Sequence, residues 1–257
     1  MIRKFNKPCK SQVTIFVILA LIIIVIIALA YVIIKKPGQI IQAEENPQAY
    51  IESCVEKALE NNEAKQIDNN LYSNMSDNYI LYMNQKVKYL CKASMFYVPC
   101  VNQEPMLIEF VRKNIQRDIK PEIESCFNEL KKTLAKRGYD VQEGALSYEI
   151  QFEKEAIKAN INKKIVLKKN EDIRIFDNFN AKIKSPLFVL VDTARNIVNY
   201  ESTLCEFNNM NWEKNFPDIS IKRFVTGDQT KVYTLMDKTS EKKINIAVKT
   251  CVLPAGI

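Results

Sequence analysis

Residues Gln12 to Ile34 read QVTIFVILALIIIVIIALAYVII, a run of 23 without one charged side chain. At about 1.5 Å per residue, a helix of this length covers the roughly 30 Å hydrocarbon layer of a bilayer. It is apolar on every side, whereas a helix at the surface of a soluble protein keeps a polar face for water. The sequence therefore predicts a transmembrane helix at 12–34 that contacts the lipid bilayer. A basic head (1–11) precedes it, and a linker (35–45) containing Pro37-Gly38 leads into a domain at 46–257.

The flanks give the span a direction. Arg3, Lys4, Lys7 and Lys10 precede it with no acid among them, whereas Lys35 and Lys36 on the far side are followed by Glu44 and Glu45. The larger positive cluster predicts a cytoplasmic N-terminus and an extracytoplasmic C-terminal domain. Of seven cysteines, only Cys9 precedes the span; Cys54, Cys91, Cys100, Cys126, Cys205 and Cys251 follow it. An even set in an exported domain predicts disulfides.

Two absences narrow the chemistry. With no histidine, the chain lacks the usual base for Ser and Cys nucleophiles and the commonest zinc ligand. Its five glycines form neither GxGxxG nor GxxxxGK[ST], so phosphate-cradling loops are missing. No metal or cofactor is expected. The net charge of +7 is spread among 30 acidic residues and suggests no nucleic-acid surface. Glu122 with Glu124, Glu153 with Glu155, and Glu171 with Asp172 lie beside lysines and read as solvated, mixed-charge faces. Asp192 and Arg195 read as an ordinary i,i+3 helix pair.

Beyond the linker, Asn46-Pro47 marks a helix start, and Ile51, Cys54, Val55, Ala58 and Leu59 share its core face. Residues 61–104 are less regular, with strand candidates at 79–82 and 87–98 and a local disulfide expected between Cys91 and Cys100. Leu107 to Leu134 keep a helical period, which Pro121 should kink or divide, and Gly138 suits the stop. The segments AYIESCVEKAL and PEIESCFNEL place a cysteine alike on two amphipathic helices, suggesting that Cys54 pairs with Cys126.

After Gly138 the period becomes two. Residues 146–152, 157–161, 165–167 and 173–176 read as a meander of antiparallel strands with one wet face. Ser185-Pro186 opens a helix reaching about Phe207, expected to cover the sheet's dry face. Strands at 219–225, 232–236 and 244–252 complete the chain, and Cys251 is placed to meet Cys205. Trp212, alone among Asn208 to Asn215, reads as a loop anchor or a buried residue.

The junction Lys10-Ser11-Gln12 before the apolar run resembles the class III signal peptides of archaeal type IV pilins, which are cut before the Gln. Pilins carry Glu at the fifth position after the cut, where this chain has Phe16, so an uncleaved anchor is the preferred reading. KSQVTIF, Tyr50 to Cys54, Tyr89 to Cys91, Pro99 to Leu107, Ile123 to Phe127 and Ile246 to Gly256 together resemble uncharacterised membrane-anchored proteins of small-genome DPANN archaea. That resemblance implies topology and cysteine use, and it lends no activity.

The expected fold is α+β: an N-terminal transmembrane helix followed by an ectodomain of amphipathic helices packed on a mainly antiparallel sheet. The ectodomain divides into a helical and aromatic part (46–138) and a part of sheet plus helix (139–257). The expected function is recognition or assembly at the archaeal cell surface, without catalysis and with a protein partner. Tyr79, Tyr82, Tyr89, Phe96 and Tyr97 are the expected contact surface, since tyrosine covers apolar area and keeps a polar handle. The alternatives are a pilin-like filament subunit cut between Ser11 and Gln12, and a histidine-independent surface hydrolase.

Overall fold

The computed structural model describes residues 19, 21–24, 46–73, 75–95 and 97–251. The predicted span lies outside these except for Leu19 and residues 21–24, which are helical and exposed. Among the described residues no helix is long and apolar enough to cross a membrane. The basic head, the linker and the Ser11-Gln12 junction also lie outside them.

Helix α1 (Pro47–Asp68) starts where its cap dictates: the Asn46 side chain accepts the Ala49 amide at 2.9 Å, and Pro47 occupies the first turn. Ile51, Val55, Ala58 and Leu59 are buried. The helix then continues beyond its apolar residues, and Asn62, Glu63 and Gln66 are buried on the same face. Helix α2 (Leu107–Lys136) runs in the opposite direction beside it, for Cys54 meets Cys126 whereas Asn62, further along α1, meets Glu122.

Pro121 does not divide α2. Its missing amide leaves only the Arg117 carbonyl without a helical partner, and the fully buried Ile115, Ile119 and Ile123 fix the apolar face on both sides. One residue earlier, the Gln116 carbonyl accepts the Tyr148 hydroxyl at 2.6 Å, a bond from outside the helix where the proline loosens it.

One sheet is antiparallel: β4 (Asp140–Glu143) pairs with β6, beside a meander of β5 (Ser147–Glu153), β6 (Ala156–Lys169) and β7 (Asp172–Lys184). The strand candidates at 157–161 and 165–167 are a single strand, because Asn162 to Lys164 form a register shift rather than a turn. There Gly144 donates to the Lys164 carbonyl at 2.7 Å, and an added Cβ would stand 3.3 Å from the Lys164 Cβ. Glycine permits that approach.

The other sheet comprises β1 (Tyr79–Tyr82), β2 (Gln85–Lys92), β3 (Val101–Asn102), β8 (Ile219–Val225), β9 (Lys231–Asp237) and β10 (Lys243–Lys249). Its order is β1-β2-β10-β9-β8 with β3 beside β2; β2 and β10 are parallel and the remaining pairs antiparallel. Helix α3 (Leu187–Leu204) packs mainly on this sheet, against β2, β3, β9 and β10. It meets the meander, which the sequence expects it to cover, at its start, where Phe188 lies edge to face with Phe152 of β5 at 6.5 Å. The first sheet's helices are α1, against β7, and α2, against β4 and β5. Phe127 of α2 meets Phe179 of β7 edge to face at 5.3 Å. The fold is thus α+β, helices packed on mainly antiparallel sheets, with 43–257 forming one unit.

Pro121 is exposed, so replacing it removes no core contact. Proline in a helix interior costs about 3 kcal/mol relative to alanine, and Pro121→Ala is expected to stabilise the domain by about 1–3 kcal/mol. A denaturation midpoint that stays put or falls would show that the helix is adapted to the proline.

Candidate functional site

Three cysteine pairs stand at disulfide distance: Cys54 with Cys126, Cys91 with Cys100, and Cys205 with Cys251, with Cα separations of 5.9, 5.3 and 5.6 Å. They join α1 to α2, close the loop between β2 and β3, and tie the end of α3 to the second residue beyond β10. Cys205 terminates α3 in the left-handed conformation.

The expected aromatic surface is divided by the fold. Tyr79 is half-buried beneath the Lys86 amine, 4.4 Å from its ring centroid, and Tyr97 is 76% exposed in the Cys91–Cys100 loop. Phe96 lies outside the described residues. Tyr89 is buried and cannot serve as surface. It closes a cross-strand row, Phe224 to Val232 to Ala247 to Tyr89, and its hydroxyl lies 3.3 Å from the Thr230 hydroxyl. Val87, Tyr89, Val232 and Ala247 form a second small core, packed by Ile80 and Tyr82. The sheet coils enough that its two outermost strands touch, Tyr82 against Phe224 with centroids 5.5 Å apart.

The hairpin joining β1 to β2 carries apolar residues that the sequence reading did not select. Met83 and Asn84 form its two-residue turn with φ of 48° and 62°. Such a turn needs left-handed backbone at both positions, where Asn and Gly are favoured and Met is not. Met83 is 80% exposed and Leu81 68%. Asn84 between two alternating segments was the available sequence signal.

The carboxylates noted in the sequence lie among basic partners. Glu122 accepts from Asn62 at 2.6 Å and faces Lys65, Glu124 faces Lys120, and Glu153 meets both Lys158 and Lys182 at 2.7 Å. Asp172 faces Arg174, and Asp192 holds Arg195. A polar hollow of about 550 Å³ at the end of α1 is lined by one carboxylate, Asp68, and by Lys86, whose amine is bound to the Met75 carbonyl at 2.8 Å. No pair of carboxylates converges in its lining.

A second concave site lies between α3 and the short helix α4 (Asn209–Asn215). It is a cleft of about 370 Å³ whose lining includes Tyr200, Leu204, Phe207, Trp212 and Phe216. Beneath it, Glu201 is fully buried and accepts both the Lys231 amine, at 3.0 and 2.9 Å, and the Tyr233 hydroxyl. The Lys231 amine also donates to the Cys205 carbonyl at 2.7 Å and faces Glu206. Burial first, then the Glu201 carboxylate, pushes the Tyr233 phenol far above its ordinary range, so it remains a donor. Burial acts to raise Glu206, but Arg223 and Lys231 together outweigh it and hold that carboxyl below its ordinary value. Trp212 among asparagines was the only sequence sign of this cleft.

Comparison with known proteins yields no match: no family model, no curated protein and no solved structure is similar to this chain.

Removing one partner of a buried charge pair costs about 3–5 kcal/mol, whereas replacing both can be nearly neutral. Lys231→Met is therefore expected to destabilise by that amount, and Glu201→Leu added to it to restore most of the loss; additive losses in thermal unfolding would contradict the cluster. At the β8–β9 turn the Thr226 hydroxyl foremost, then Lys249, hold the Asp228 carboxyl well below its usual range. A depressed folded-state value contributes stability above the unfolded value of about 4, lost as pH falls below it. Asp228→Asn is expected to flatten that acid limb of the unfolding free energy, and an unaltered limb would rule the contribution out.

Proposed function

We propose that the chain is a single-pass membrane protein with a cytoplasmic N-terminus, whose disulfide-stapled domain acts outside the membrane in recognition or assembly, without catalysis. The uncharged run 12–34 and the lysines before it support the anchor and its direction. Three cysteine pairs at bonding distance support an oxidising compartment.

The observation that carries recognition is the β1–β2 hairpin tip. Leu81 at the end of β1 and Met83 on the turn face water, Met83 with a backbone that disfavours methionine. Asn70, just past α1, reaches the Lys86 carbonyl beside this hairpin at 3.4 Å. The tip therefore lies near the end of α1 opposite Pro47, where the chain enters the domain. A 22-residue helix, about 33 Å long, separates the two ends. An apolar tip at the far end of this helix suits contact with a protein partner.

A photo-crosslinking residue in place of Met83, activated in intact cells, is expected to give a discrete protein adduct that Leu81→Asp abolishes while the melting temperature holds. Adducts to lipid alone, or none, would overturn the recognition reading. A non-reducing peptide map with all six cysteines reduced would overturn the exported topology. The Lys10-Ser11-Gln12 junction supports a second reading, a pilin-like subunit, which requires a mature chain beginning at Gln12 by mass spectrometry.

A further inference from the structure

The cleft between α3 and α4 has a wall of consecutive aromatic contacts. Ring centroids lie 5.8 Å apart from Tyr200 to Phe207, 5.8 Å from Phe207 to Trp212, and 4.5 Å from Trp212 to Phe216 in a near-parallel stack. Phe207 is the buried floor, backed edge to face by Tyr233 at 6.1 Å. Tyr200 and Phe216 remain exposed at the sides.

Three amides line the same cleft, and their own bonds leave a defined remainder. The Asn208 oxygen accepts the Asn211 backbone amide at 3.0 Å, so its NH2 group is unspent. The Asn215 NH2 group donates to the Asn211 carbonyl at 3.2 Å, so its oxygen is unspent. The Asn211 side chain makes no hydrogen bond with the described residues and offers both functions. Glu206, the one acid in the lining, is engaged by Arg223 and Lys231.

We propose that this cleft is a subsite for a neutral carbohydrate, with one pyranose ring seated on the aromatic wall and its hydroxyls bonded to the asparagine amides. A pyranose has an apolar C–H face for the rings and a perimeter of groups that both donate and accept, which is the complement the amides leave open. A charged ligand finds no unspent opposite charge there, and an apolar peptide side chain uses the rings but makes no use of the amides. The volume of about 370 Å³ lies within the range of small-ligand sites, about 300–1,000 Å³. This proposal is independent of the hairpin reading.

The chain contains one tryptophan, so its selectively excited tryptophan emission, with that of empty nanodiscs subtracted, reports on this cleft. Full-length protein in glycolipid-free nanodiscs, titrated with mannotriose, maltotriose and chitotriose, is expected to show a saturable change in emission with at least one of them. Asn211→Ala, which removes no bond within the protein, is expected to weaken that binding about tenfold with the melting temperature unchanged. No saturable response to any of the three sugars would overturn the proposal. So would binding indifferent to Asn211→Ala, or tighter binding of an apolar peptide or a charged sugar such as sialic acid.

Discussion

A single buried carboxylate joins parts of the chain that lie far apart in sequence. Glu63, on the core face of α1, accepts the Ser185 hydroxyl at 2.5 Å and the Lys242 amine at 2.7 Å. Ser185 in turn accepts the Leu187 amide at 3.1 Å, so the same carboxylate fixes the start of α3 and the turn between β9 and β10. A carboxylate removed from water must be met by donors, and the requirement holds α1 to one register between the sheets. Further along, the Asn70 oxygen accepts the Asn245 backbone amide at 2.7 Å, linking α1's end to β10. Near its start, Glu52 accepts the Asn180 amide at 3.2 Å and blunts the free edge of β7.

The periodic parts of this arrangement were legible. The Asn46-Pro47 start, the apolar face of α2, the period-two stretches and the pairing of cysteines on like helices all follow from local spacing. What was not legible depends on partners distant in sequence. Asn62 and Glu63 fell in the stretch from 61 that read as irregular, because a polar residue betrays burial only once Ser185, Lys242 and Glu122 are in place. Tyr89 read as surface because nothing local announces that β2 lies beside β10 in a coiled sheet. Pro121 read as a break because its local cost is real, and the buried residues around it overrule that cost. The tip escaped notice for a different reason: Leu81 and Met83 have the hydropathy of core residues.

Both candidate surfaces depend on one sheet. The hairpin forms one outer strand, β1, and the aromatic cleft lies beside the other, β8, against which α4 packs. Coiling brings these strands together at Tyr82 and Phe224, so the sheet's edges are adjacent even though its order separates them by three strands. The Lys231 and Glu201 cluster braces the cleft from below, where Tyr233 supports Phe207. Rigid elements carrying exposed apolar groups are the arrangement expected of a binding scaffold, and the charged residues serve the scaffold.

The parallel pairing of β2 with β10 also dictates an order of events during synthesis. β10 occupies the middle of its sheet, between β2 and β9, and Cys251 follows it. A nascent chain that ends before Lys243 has β1 and β2 on one side and β8 and β9 on the other, with no strand between them. The sheet's middle, its small second core and the Cys205–Cys251 link all await β10 and the cysteine that follows it. Contacts between residues so far apart form late and slowly, and until then two strand edges stand unpaired. A ribosome must release the chain through β10 before this sheet can close, which makes that strand the keystone of its folding.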